Sequence, residues 1–205
     1  MTNVAEQTGR EVLKAGARDI PTVNRVLAAA FLHDPVFEWM VPDTTRRREI
    51  LPGFFALVSD ALHRHDEIYV AGSVGTALWV PPGEDAIAEA DAAAFEEAVA
   101  ELVGPDIERS GEVIALLEEN HPHAMPHAYL WFLAVEPAWQ GRGIGASLMQ
   151  PVLSRADRDG VPAYLEATSP LNRALYERYG FRVVKELRTS DCPPLWAMWR
   201  DPASA

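Results

Sequence analysis

The chain is short of the features that mark several large protein classes. Among its 205 residues there is one cysteine, Cys192, so no internal disulfide can form and a reducing cytoplasm is the expected setting. Cys192 stands between Asp191 and Pro193 in a turn-like stretch. No neighbouring base or helix start would lower its pKa, which argues against a nucleophilic role. Nowhere does an apolar run approach the ~20 residues that cross a bilayer. The opening MTNVAEQTGRE lacks the apolar core of a secretory signal. Basic residues are scarce as well: 18 Lys and Arg face 30 Asp and Glu, a formal net charge of -12. A nucleic-acid binder carries the opposite balance. The expected partners therefore include neither nucleic acid nor membrane. Such an acidic field draws small cations, amines among them, and it also keeps a chain soluble.

Apolar residues make up 48% of the sequence, six tryptophans included, enough for one core without metal or disulfide support. Residues 1 to about 10 are read as a mobile tail and 11–205 as a single domain. A short strand is expected over Glu11–Ala15. A helix follows, capped by Asp19 with Pro21 in its first turn, and then the loop HDPVFEWMVPD. The next helix, Thr44 to His65, should be bent at Pro52-Gly53 with Ile50, Phe54, Leu57 and Leu62 inward. EIYVAGSVGTALWVPPG reads as a hairpin. Residues 84–120, rich in Ala and Glu and broken at Gly104-Pro105, read as an inserted helix pair, a lid or a wall. Strands are expected at His127–Val135, Ala163–Thr168, Phe181–Leu187 and in PLWAMWR, with helices from the glycine-rich QGRGIGAS to Asp159 and over Pro170–Tyr179. The mixture makes an α/β fold containing one clear strand–helix–strand unit.

That unit holds the informative stretch, Val135 to Ala146, where a strand enters and a helix leaves through Gln140-Gly141-Arg142-Gly143-Ile144-Gly145. Glycines let backbone N–H groups converge, and the helix start adds partial positive charge, which together make a pyrophosphate seat. Arg142 would add a cation. A Walker loop needs a Lys-Ser/Thr pair that Ala146-Ser147 does not supply. A dinucleotide loop matches at Gly141, Gly143 and Ala146, with Glu166 downstream. Its glycines, however, follow the strand too late, and the repeated strand–helix units are missing. The third pattern, Q/R-x-x-G-x-G/A, fits Gln140, Gly143 and Gly145 in register.

With LAVEP before it and LEATSPLNRALYERYGF after it, this third pattern resembles the GNAT N-acetyltransferase family. The likeness runs over roughly residues 11–202 and is sharpest from Pro126 to Val184. HPHAMPHAYLWFLAV, RDGVPAYLEATSP, YERYGF and the in-helix Pro151 look most like its puromycin N-acetyltransferase branch. The resemblance implies a central, twisted, mostly antiparallel sheet of six to seven strands, flanked by helices, with a V-shaped splay between the fourth and fifth strands. It implies acetyl-CoA as co-substrate and direct transfer to an amine. Backbone groups of Leu133, Ala134 and Val135 would meet the pantetheine arm, exposed by a bulge. The segment from Gln140 to Ala146 would hold the pyrophosphate, and Asn172 would face the arm from across the cleft.

The same resemblance places Tyr176 where the family's general acid sits, able to protonate the thiolate; the competing reading is a core aromatic, for which Tyr179 is the better candidate. Glu166 ends a strand beside the cleft and could deprotonate the amine, or be a buried carboxylate bonded to backbone amides. Asp34, Glu38 and Trp39 lie in the loop that borders the acceptor pocket in this family, where an acid beside an indole suits a cation; a plain surface loop is the other reading. His121, His123 and His127 look like a metal cluster, but Pro122 and Pro126 extend the chain and no carboxylate or cysteine completes the set. No metal is expected, and these histidines are read as strand entry or substrate wall. The run Arg46-Arg47-Arg48 reads as a solvated face. PLWAMWR is apolar enough to pair or swap with a neighbouring copy, so a monomer or a homodimer is expected. The acceptor is read as a small primary amine. A protein lysine or N-terminus, with residues 84–120 as a peptide groove, and a non-catalytic acyl-CoA sensor are the alternatives.

Overall fold

The structure, a computed structural model, describes residues 11–203; the tail expected over 1–10 lies outside them. Seven segments form strands: β1 (Val12–Lys14), β2 (Ile68–Ala71), β3 (Gly75–Val80), β4 (Ala128–Val135), β5 (Ala163–Ala167), β6 (Arg182–Leu187) and β7 (Leu195–Arg200). They make one sheet in the order β1-β2-β3-β4-β5-β7-β6. Every pairing is antiparallel except β4 with β5. The helices are α1 (Ile20–Phe31), α2 (Pro35–Met40), α3 (Thr44–His63), α4 (Glu89–Val103), α5 (Ile107–Asn120), α6 (Ile144–Asp159) and α7 (Pro170–Glu177).

The layers follow from side-chain periodicity. On one face, α6 buries Ile144, Leu148, Met149, Val152 and Leu153 against Trp79, Leu130 and Leu165 of the sheet. Gly75 permits this approach, because a Cβ there would stand 2.9 Å from both Ile144 Cγ2 and Leu148 Cδ1. On the other face α1 and α3 pack Val23, Leu27, Phe55, Val58 and Leu62 against Ile68, Leu78 and Val80. Beside them, Val36 of α2 and Val113 of α5 cover Tyr164, Leu195 and Ala197.

Five local expectations are corrected. The stretch HDPVFEWMVPD is not a loop throughout: Asp34 accepts from Val36 N (3.0 Å) and Phe37 N (3.2 Å) and starts α2. Asp19 holds the N-cap position of α1, and its carbonyl accepts from Val23 N at 2.9 Å, but its side chain does not cap the helix; the carboxylate accepts from Gly16 N at 2.8 Å. The inward stripe of α3 is double. Leu51, Phe55, Val58 and Leu62 face the sheet, while Ile50, Phe54 and Leu57 face α4. Nor is the arginine run uniformly solvated. Arg47 is 2% exposed and donates to the carbonyls of Leu32, Val41 and Pro42, while Arg46 pairs with Asp106 at 2.8 Å. The guanidinium serves as a multi-donor clasp for chain ends that have no partners of their own. Finally, β7 is flanked by β5 and β6, so neither of its edges is open to pair with a neighbouring copy.

Candidate active site

Parallel pairing of β4 with β5 covers only Ala128↔Ala163 and Tyr129↔Tyr164. Beyond Tyr129 the two strands part, and β4 keeps β3 as its single neighbour. A bulge marks the opening: Leu78 pairs with Phe132 and Trp79 with Leu130, so Trp131 is the extra residue. The inserted residue reverses the alternation. Leu130 faces α6 before it, and Leu133 and Val135 face α6 after it. A main-chain edge is thus left uncovered along the half of β4 that contains Leu133, Ala134 and Val135, two residues past the bulge.

The strand then runs into the glycine turn. Gly141 (φ +74°) and Gly143 (φ +82°) both hold left-handed backbone, with open space where a Cβ would stand. Gly143 precedes α6 with no side-chain cap and no acid in the first turn. The first intrahelical bond is Ser147 N to Gly143 O at 3.1 Å, so the N–H groups of Ile144, Gly145 and Ala146 have no acceptor within the helix. Free donors at the positive end of a helix dipole suit an anion. An open cavity of about 580 Å³ flanks them, lined by Gly143, Ala146, Ser147 and Tyr179 among others. Arg142 lies over the Trp139 ring at 4.8 Å, and Gln140 donates to Val135 O at 3.0 Å, tying the turn to the strand end. Gly145 sits where the walls meet: a Cβ there would lie 3.6 Å from Leu175 and 3.7 Å from Leu133.

Helix α7 begins at Ser169, whose hydroxyl accepts from Asn172 N. Its buried residue is Tyr176, packed edge-on to Phe181. Burial, with the Asp34 carboxylate nearby, raises the Tyr176 phenol above its ordinary range. Tyr179, one turn on, is half-buried against the same core. Asp34 links this end of the site to α2: one carboxylate oxygen caps α2 and the other accepts from Thr168 at the end of β5. Burial raises Asp34 too.

Tyr164 and Glu166 alternate on β5 and so share the face opposite α6. The Glu166 side chain is 6% exposed. Tyr129 Oη donates to Glu166 Oε2 at 2.8 Å, while Glu166 Oε1 is buried without a partner. Burial pushes the Glu166 carboxyl up to about 7, with the tyrosine hydroxyls opposing the rise. His121, at the end of α5, brings Nδ1 to 4.0 Å from Oε1.

Leu133, Ala134, Val135 and the 140–146 turn thus follow one another along the open half of β4 into the start of α6, while Glu166 lies on β5 and Asn172 and Tyr176 on α7, which follows it. Other predicted residues are committed elsewhere. Both oxygens of Asp34 are engaged, Glu38 pairs with His33 and Arg47, and Trp39 Nε1 donates to Asp191 at 2.8 Å. Burial pushes the Cys192 thiol up to about 11, away from reactivity. Among the described residues no group of His, Cys, Asp and Glu has metal-binding geometry. Sequence reasoning missed Tyr129, Tyr164 and Thr168. The pair Tyr164 and Glu166, two apart in a strand, was a readable signal for Tyr164; Tyr129, which reaches Glu166 from β4, and Thr168 gave none.

Comparison with known proteins gives consistent results. A family model described as Acetyltransferase (GNAT) family matches residues 52–181. An uncharacterized N-acetyltransferase of Schizosaccharomyces pombe is 25% identical over 200 residues, 91% of this chain and 81% of that one. A Corynebacterium glutamicum structure, described as histone acetyltransferase HPA2 and related acetyltransferase, superposes with a TM-score of 0.70. It is 29% identical, over 95% of this chain and 97% of that one. The fold is also shared with a mosquito arylalkylamine N-acetyltransferase-like protein, at a TM-score of 0.55, 14% identity and coverage of 93% and 99%.

Proposed function

Because the chain belongs to the acetyltransferase (GNAT) family, we propose that it moves an acetyl group from acetyl-CoA directly onto the primary amine of a small molecule. The observation that carries this reading is Glu166. It is a buried carboxyl poised at about 7, with one oxygen unpartnered, on the strand that opens away from β4. A group so placed can take a proton from an alkylammonium, directly or through water, at neutral pH.

The other roles follow from position. The uncovered edge of β4 at Leu133, Ala134 and Val135 receives the pantetheine arm, with Asn172 facing it. The N–H groups between Gly141 and Ala146 hold the pyrophosphate, with Arg142 beside it and Gln140 bracing the turn. A fixed N–H near Val135 stabilises the oxyanion formed when the amine attacks the thioester, an effect often worth about 3 kcal/mol. Tyr176 then gives its proton to the departing thiolate. The phenol is protonated at neutral pH and so is available as the donor when that anion forms. Asp34, Glu38 and Trp39 shape the acceptor side through α2.

A small acceptor is supported by the likeness of HPHAMPHAYLWFLAV and YERYGF to the puromycin N-acetyltransferase branch and by the net charge of -12, which favours cations. The second reading, a lysine or N-terminal amine of a protein, is favoured by the description of the Corynebacterium glutamicum structure. Thiol release from acetyl-CoA, measured across a panel of small amines and lysine peptides, separates the two. Turnover with a small amine is expected. Turnover with peptides alone would select the second reading. Silence across both arms, with acetyl-CoA bound, would overturn both and leave an acyl-CoA sensor.

A further inference from the structure

The inserted helix pair ends at His121, and its ring has no part in the scheme above. It closes an aromatic box, with ring centroids 4.8 Å from Tyr129, 5.2 Å from Tyr164, 5.1 Å from His127 and 5.4 Å from His123. Of these rings, His127 is fixed by its Nδ1 on Met125 O at 2.8 Å, and Tyr129 is fixed on Glu166 Oε2. What remains open is the gap between Glu166 Oε1 and His121 Nδ1, 4.0 Å wide. A small rotation of the ring would bring the two atoms within hydrogen-bond distance.

The two oxygens of Glu166 therefore differ. One is held by a donor and cannot readily release or take a proton. The other is buried and makes no hydrogen bond; it faces an imidazole, and the Tyr164 hydroxyl, itself unbonded, also bears on the carboxyl. A base in this position has a problem of disposal: its side chain is 6% exposed, so a proton taken from the acceptor has no direct way to water. The His121 side chain is 26% exposed, and His123 beyond it is exposed.

We propose that His121 is the proton exit of Glu166. The inference rests on the acetyl-transfer reading above and adds a residue to it. Glu166 takes one proton from the alkylammonium and becomes neutral. It passes that proton to His121 Nδ1, and the imidazolium releases a proton from Nε2 to solvent, leaving Glu166 ionised again. Each turnover liberates one proton, in step with the conversion of an ammonium and a thioester into an amide and a thiol. The groups that bear on His121 are Glu166 and Tyr164 from β5, Tyr129 from β4, His123 and His127 from the entry to β4, and Asp85 from the loop after β3. Burial and the neighbouring histidines hold the His121 pKa down, at about 4, below that of Glu166, so the ring is unprotonated at neutral pH and the imidazolium is a transient carrier that sheds its proton readily. His121 acts through Glu166 and is in this sense a positioning residue for the proton.

The test is turnover of wild type, His121→Ala and His121→Asn with an accepted amine, with and without added imidazole, and with melting temperatures alongside. Both variants should lose about tenfold in kcat, less than the 10²-fold or more typical of a primary acid or base, with KM for acetyl-CoA unchanged. Imidazole in the medium should restore His121→Ala in a concentration-dependent way, which a packing role would not allow. Wild-type kcat in both folded variants, or a loss that imidazole does not relieve, overturns the relay while leaving the acetyltransferase reading intact. A wild-type protein silent with every amine overturns that reading, and the relay with it.

Discussion

Tyr129 donates its hydroxyl to Glu166 Oε2 at 2.8 Å from the last residue of β4 that still pairs with β5. The same residue thus closes the sheet and sets the charge of the carboxyl at the point where the sheet opens. Its hydrogen bond favours the carboxylate, opposing the rise that burial imposes. Tyr129→Phe removes that opposition, so the Glu166 pKa must move further up. The acid limb of kcat, expected near pH 7 in the wild type, should move to higher pH in the variant, with activity at pH 9 least affected. A limb that stays in place would separate Glu166 from the proton-transfer step.

Gly143 offers a test of the cofactor seat. Alanine at φ +82° is strained by about 1–2 kcal/mol, and relief of that strain would turn the adjoining amides away from the anion they are placed to meet. Gly143→Ala should raise KM for acetyl-CoA several-fold, with kcat within about a factor of two. Steady-state kinetics at varied acetyl-CoA reads both. An effect on kcat alone would count against a phosphate role for this turn.

Much of this region was legible because its chemistry is local. The glycine spacing, the helix that follows and the strand before it sit within one short stretch, and left-handed backbone at Gly141 and Gly143 is written in the residue type itself. The bulge was expected from the resemblance, but nothing in AYLWFLAV fixes it at Trp131. Helix α2 is six residues long, too short for a 3.6-residue period to show, although Asp34-Pro35 carried its start signal. The environment of Glu166 was out of reach, since His121 and Tyr129 come to it from the insertion and from β4. The position of β7 between β5 and β6 is a property of topology, which apolar content does not encode.

Arg47 illustrates the same limit and can be tested. Three adjacent arginines look alike in sequence, yet one is enclosed and bonds three carbonyls. Arg47→Met leaves those acceptors buried without donors, which should lower unfolding free energy by about 3 kcal/mol or more. Arg48→Ala, at an exposed position, should change it by less than about 0.5 kcal/mol. Urea denaturation of the two variants and wild type makes the comparison, and equal losses would contradict the clasp.

The central claim is that Tyr176 and Glu166 act on one acetyl transfer. Its most direct test is acetyl-CoA-dependent thiol release with an accepted amine by wild type and Tyr176→Phe, with acetyl-CoA binding measured on both. The Tyr176 hydroxyl makes no hydrogen bond among the described residues, so the substitution should leave the fold and cofactor affinity unchanged. Loss of the acid should lower kcat by about 10²-fold or more. A Tyr176→Phe protein that binds acetyl-CoA and turns over at the wild-type rate would contradict the account.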